Sequence, residues 1–317
     1  MGQFFSYPIT TEDVVLSNNV LSVAQTKGYR LKQEDYFSVN EYFNIPFQIT
    51  DDNIQKIANL KIMGVFDGHG GHLTSEYLEK HLNQRLLRSM QNCDNDKGKG
   101  EKAISSYETN HSLIIQRIKN AFWELDIELY EYLKDDVSGS TAILCVIIND
   151  KDLYSVNLGD SRLIMGTNGS LKVLSFDHKP NHIGELIRIN ENGGFIQNNR
   201  VQGILALARS FGDFDFKIGD NLYETAVIVE PEIIYHEIDY DKDDFIFLGS
   251  DGVFEIFNNR QLVKAITKEL KTGINPKDIL KKIINETMAN ANNETGCGFD
   301  NMTTILYQFD KLRNVAS

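Results

Sequence analysis

Four short apolar runs in this chain each meet a carboxylate where they stop or start. KIMGVF runs into Asp67, LYSVNLG into Asp160 and DFIFLGS into Asp251, while Asp300 stands before NMTTILYQF. One Asp in such a place is an ordinary turn residue, because Asp is favoured wherever a strand must stop. Four limit the fold more tightly. Adjacent strands would carry these ends to one edge, where several uncompensated carboxylates repel one another and resist ionisation. A divalent cation removes that cost. An all-oxygen donor set with no Cys or paired His selects Mg²⁺ or Mn²⁺ over zinc.

The surrounding pattern predicts the architecture. From Val137 onward, STAILCVIIND, LYSVNLGD, RLIMGTN, LKVLSF, TAVIVEPEIIYHEI and DDFIFLGSD read as strands, and tight polar breaks between the first three suggest antiparallel meanders. Apolar residues recur at helical spacing in SEYLEKHLNQRLLRSM, SLIIQRIKNAFWELDIELYEYL, NRQLVKAITKEL and PKDILKKIINETMANA, and MTTILYQF closes the chain as a strand. Strands and helices segregate rather than alternate, which predicts an α+β fold of mostly antiparallel sheet with helices outside. The polar stretch Gln91 to Asn110 reads as a surface insertion. No repeat or linker divides the chain, so a single domain over 20–310 is expected, with an N-terminal segment 1–19 and a tail 311–317.

Composition excludes several function classes. With 317 residues and 41% hydrophobic content the chain can bury a substantial core, and its net charge of -13 repels phosphate backbones, so nucleic acid is not an expected partner. Cys93, Cys145 and Cys297 have no paired spacing, which suits a reducing compartment and a cytoplasmic protein, with the nucleus left open. AILCVII, the longest clean apolar run, is too short to span a bilayer. The opening MGQFFS fits the acceptor pattern for myristate on Gly2, against the alternative of a frayed end with Phe4 and Phe5 packed on the domain. No Lys or Arg precedes Lys27 to add a second anchor, so any membrane attachment would be weak and reversible. Nothing in the sequence calls for an oligomer, and a monomer is expected.

The stretch GVFDGHGGH sets His69 among glycines beside Asp67, where backbone can approach a ligand closely. Together with GYRLKQEDYF, SGSTA, NLGDSR, DHKP, RVQGILALARSFGD, VEPEI, GSDGVFE and DNMTTI, in that order, it makes the chain from about Val20 to Phe309 resemble the metal-dependent Ser/Thr protein phosphatases of type 2C. The resemblance implies a central sandwich of two antiparallel β-sheets flanked by pairs of antiparallel helices. It also implies direct hydrolysis of phosphoserine and phosphothreonine proteins by a hydroxide bridging two Mg²⁺ or Mn²⁺ ions. On this likeness Asp67 bridges both ions, the Gly68 carbonyl serves one, Asp251 and Asp300 serve the other, and Glu34 acts on the second through bound water. His69 is implied as the general acid and Arg30 as the phosphate clamp. Asp160, sharing Asp251, is similar to the ligand of a weaker third ion. Glu255 departs from the family, which often has Asp there, and this puts the third ion's affinity in question. Arg209 and Asp213 match family positions and are expected to be structural, and 213–228 corresponds to a variable flap. The alternative is a pseudophosphatase that acts as a binding module.

Overall fold

The structure is a computed structural model that describes residues 8–310 apart from 18, 49–54, 92–105 and 218–224. The Gly2 acceptor pattern, Cys93, most of the expected insertion, part of the expected flap and the tail 311–317 lie outside the described residues. Strands β1 (Thr10–Leu16), β2 (Asn19–Thr26), β3 (Tyr36–Gln48), β4 (Gln55–Phe66) and β5 (Gly68–His69) precede helices α1 (Leu73–Gln91) and α2 (Ser106–Leu133). The middle of the chain holds β6 (Gly139–Ser140), β7 (Ala142–Ile148), β8 (Asp152–Leu158), β9 (Arg162–Thr167) and β10 (Ser170–Val173). After these come α3 (Ile183–Glu191), β11 (Ile196–Gln197), β12 (Arg200–Val201) and β13 (Phe211–Gly212). The last part contains β14 (Glu232–Glu237), β15 (Asp243–Gly249), α4 (Asp251–Phe254), α5 (Asn259–Lys271), α6 (Pro276–Ala289) and β16 (Met302–Gln308).

Two antiparallel sheets form the centre, one in the order β1-β2-β16-β15-β9-β10 and one in the order β14-β8-β7-β4-β3. The run AILCVII shows why. In β7, Ala142, Leu144, Val146 and Ile148 face the cluster packed under α1 and α2, whereas Ile143, Cys145 and Ile147 face the opposite sheet. A strand buried on both faces must be apolar throughout, since successive side chains alternate sides. Ala24, Ile164, Phe247 and Leu306 of the other sheet pack on Leu262, Val263, Ile266, Leu280 and Ile284 of α5 and α6. The result is the expected α+β sandwich with a helix pair on each outer face.

Local departures have physical causes. The segment expected to lie outside the domain at 1–19 contributes the edge strand β1, paired with β2 from Thr10 to Leu16. The run TAVIVEPEIIYHEI becomes a strand only at Glu232, because Ala226 and Val227 pack instead into a small cluster with Ile189, Val201 and Leu207. Helix α3, in that same cluster, had no counterpart in the sequence reading. Helix α2 begins at Ser106, inside the expected insertion. No helix among the described residues is long and apolar enough to cross a membrane. Cys145 is buried and Cys297 half-buried, and neither is in a disulfide.

Candidate active site

Antiparallel neighbours alternate direction, so the start of one strand lies beside the end of the next. Asp67 follows β4, Asp160 sits in the crossover from β8 to β9, Asp251 opens α4 after β15, and Asp300 stands two residues before β16. All four come to the same end of the sandwich. Asp67, Asp160 and Asp251 offer oxygen atoms within 4.8 Å of one another. They line a cleft of about 660 Å³ together with Arg30, Glu34, Gly68, His69 and Asp300. Every candidate residue of the sequence therefore shares one cleft. A larger recess, about 820 Å³, lies at the other end of the six-stranded sheet beside Asn19 and Gln308 and holds none of them.

The charges in the cleft are poorly compensated. Burial, then the charges of Asp251, Asp35, Asp160 and Asp300, hold the Asp67 carboxyl well above the usual range. Burial, then Asp160 and Asp300, does the same to Asp251. Asp35, also buried, is pushed up to about 7 by desolvation, although the Ser250 hydroxyl donates to it at 2.8 Å. Lys179 pairs with Asp160, and Arg30 Nη2 reaches Asp300 Oδ2 at 2.6 Å. Neither Asp67 nor Asp251 is in an ion pair among the described residues.

Backbone scaffolding fixes these groups. The Glu34 carbonyl accepts from the Gly68 amide at 3.2 Å and from the Ser75 hydroxyl at 2.5 Å. A Cβ on Gly68 would lie 2.4 Å from that carbonyl, so only glycine allows the approach. Asn301 ties the Arg30–Glu34 loop to the Asp300 turn: its Oδ1 accepts from the Glu34 amide at 2.8 Å, and its Nδ2 donates to the carbonyls of Lys27 and Lys32. Sequence reasoning gave Asn301 no role. Its place directly after Asp300 was the available signal.

Asp213 needs a correction. A structural role alone was expected, yet its carboxylate meets His69 Nε2 at 2.9 and 2.7 Å. The Asp213 side chain is buried and also accepts from the Ser210 hydroxyl. Burial disfavours the His69 cation, but the charge and hydrogen bond of Asp213 outweigh it and raise the His69 pKa. Gly139 leaves room for this pair, since a Cβ there would lie 2.2 Å from Asp213 Oδ2 and 2.4 Å from His69 Nε2. Arg209, by contrast, binds Glu185 Oε1 through Nε and Nη2 at 2.9 and 2.6 Å and the Glu230 carbonyl through Nη1, away from the carboxylates. Glu255 accepts from the Gly298 amide at 2.7 Å, so the departing residue is anchored to the loop before Asp300.

The profile of the family Protein phosphatase 2C matches residues 20–296. The chain belongs to that family of protein serine/threonine phosphatases. It is 36% identical to Protein phosphatase 2C homolog 4 of Saccharomyces cerevisiae, across 96% of this chain and 93% of that protein. It is 32% identical to Probable protein phosphatase 2C 6 of Paramecium tetraurelia, across 98% of this chain and 100% of that one. The fold matches the serine-threonine phosphatase 2C from Toxoplasma gondii with a TM-score of 0.72 at 22% identity, covering 96% of this chain and 99% of that one.

Proposed function

We propose that this 2C-family protein is an active phosphatase that hydrolyses phosphoserine and phosphothreonine in partner proteins with Mg²⁺ or Mn²⁺. The meeting of Asp67, Asp160 and Asp251 within 4.8 Å carries the reading. These groups suit hard cations: all are oxygen donors, and although Lys179 pairs with Asp160, the carboxyls of Asp67 and Asp251 are still held well above the usual range. Asp67, the Gly68 carbonyl, Asp251 and Asp300 would hold two ions, with Glu34 acting through water. Asp160 and Asp251 would hold a weaker third. When bound, the cations supply an activated water and neutralise charge on the phosphoryl oxygens.

The remaining work belongs to side chains. Arg30, whose side chain is 57% exposed at the cleft, presents a planar fork that suits a phosphate dianion, for which lysine is a poor substitute. As the bond from phosphorus to the Ser or Thr oxygen breaks, His69 gives that oxygen a proton, and Asp213 holds the ring charged and oriented beforehand.

Metal titration of phosphate release from a phosphothreonine peptide tests the reading. Release that needs Mn²⁺ or Mg²⁺, and that Asp67→Asn or Asp251→Asn lowers by at least about a hundredfold, supports it. A wild-type chain that binds metal yet releases no phosphate would be the pseudophosphatase.

A further inference from the structure

Helix α2 lies behind the cleft and supplies none of the groups assigned above, yet it sends one buried carboxylate toward the segment that carries Asp213. Asp126 Oδ1 accepts from the Gly212 amide at 2.9 Å, and its Oδ2 accepts from Lys217 Nζ at 2.7 Å. Lys217 Nζ also donates to the Ser210 carbonyl at 2.8 Å and lies 5.3 Å from the Phe214 ring centroid. Both side chains are more than nine-tenths buried. Between the clamped positions, Asp213 has a left-handed backbone, φ 51°, costly for a residue with a side chain. The Asp213 amide is further held by the Ser138 carbonyl at 3.2 Å.

We infer that Asp126 and Lys217 are positioning residues: their buried ion pair holds the turn 210–217 so that the Asp213 carboxylate faces His69. A pair so deep is a poor source of stability, because desolvating both charges roughly offsets their attraction. What it supplies is geometry. Lys217 closes the turn on itself through the Ser210 carbonyl, three residues before Asp213, and ties it to α2 through Asp126. The proposal rests on the phosphatase reading above.

The test compares two substrates in the full chain with Mn²⁺. Asp126→Leu/Lys217→Met replaces the pair with apolar side chains, so neither charge is left buried alone. We expect kcat on a phosphothreonine peptide, whose alkoxide must be protonated, to fall about tenfold or more. Turnover of p-nitrophenyl phosphate, whose leaving group needs no proton, should fall less than about threefold, with peptide KM nearly unchanged. With Mg²⁺ in place of paramagnetic Mn²⁺, the wild type should show a low-field ring N–H proton of His69 by NMR, and this signal should broaden or vanish in the variant. Equal losses on both substrates, or undiminished peptide turnover, would overturn the inference. If the double variant does not fold, Asp126→Asn/Lys217→Met, which keeps an oxygen for the Gly212 amide and leaves no charge buried alone, provides the same comparison. If the wild type itself releases no phosphate, the phosphatase reading fails, and the NMR signal alone decides: its persistence in the variant refutes the positioning role, and its loss supports it.

Discussion

At the scale of single residues, the cleft depends on which atoms are missing as much as on which are present. Gly139 faces the His69–Asp213 pair so closely that a methyl group has no place. Gly139→Ala should therefore part the pair while leaving the buried strands around it intact. The expected result is a loss of about tenfold or more on a phosphothreonine peptide and a smaller loss on p-nitrophenyl phosphate, read by steady-state kinetics. His69→Ala should show the same leaving-group pattern more strongly, with Mn²⁺ binding by calorimetry unchanged. Equal losses on both substrates would remove the acid role from His69. The neighbouring His178 is a different kind of histidine: burial, then the charge of Arg209, lowers it to about 3, and its neutral Nδ1 accepts from the Gly159 amide at 3.0 Å. It braces the turn that carries Asp160.

At the scale of elements, the helices divide into those that reach the cleft and those that only cover a sheet. Helix α5 is of the second kind. Its first turn carries a capping box, with Asn258 Oδ1 accepting from the Gln261 amide at 2.9 Å and Gln261 Oε1 accepting from the Asn258 amide at 3.0 Å. Asn258→Ala should cost about 1 kcal/mol in a urea titration. Phosphatase turnover should stay at the wild-type level, because the buried face of α5, Leu262, Val263 and Ile266, packs on the sheet and not on the cleft. A fall in turnover without a fall in stability would show that α5 reaches the site. Helix α2 reaches the cleft only indirectly, through Asp126, which holds the Gly212 amide next to Asp213.

For the molecule as a whole, the carboxylates gathered at one end couple stability to pH and to metal. Asp67, Asp251 and Asp35 have folded-state pKa values raised above those of the unfolded chain, Asp35 to about 7. Each therefore binds its proton more tightly when folded, so stability is gained as pH falls and lost as pH rises through the folded value. The raised pKa of His69 acts in the same direction. Chelator-treated protein should thus melt at a higher temperature at pH 6.5 than at pH 8. Below about 6.5 the lowered pKa of His178 works against this gain, since the unfolded chain then takes up the proton that the folded ring refuses. Saturating Mn²⁺ binds the ionised carboxylates and should raise the melting temperature more at pH 8 than at pH 6.5. A metal shift that is larger at the lower pH would contradict the cluster.

Read alone, the sequence determined an α+β fold of mostly antiparallel sheet and the identity of the acidic groups, while the sandwich of two sheets came from the likeness to the type 2C phosphatases. The first two are written in local terms: short apolar runs broken by tight polar turns, as around Ala142–Ile148, and an Asp where a strand stops. Strand β14 and helix α3 were less legible, because Thr225–Val229 has the composition of a strand but Ala226 and Val227 pack in a satellite cluster. Only the tertiary structure decided the partnerships. Asp213 is 144 residues from His69, and Asp126 is 91 from Lys217. No spacing along a chain encodes such pairs. They arise when antiparallel strands and the helix behind them bring distant segments into a buried space, where polar groups must find one another because water cannot serve them.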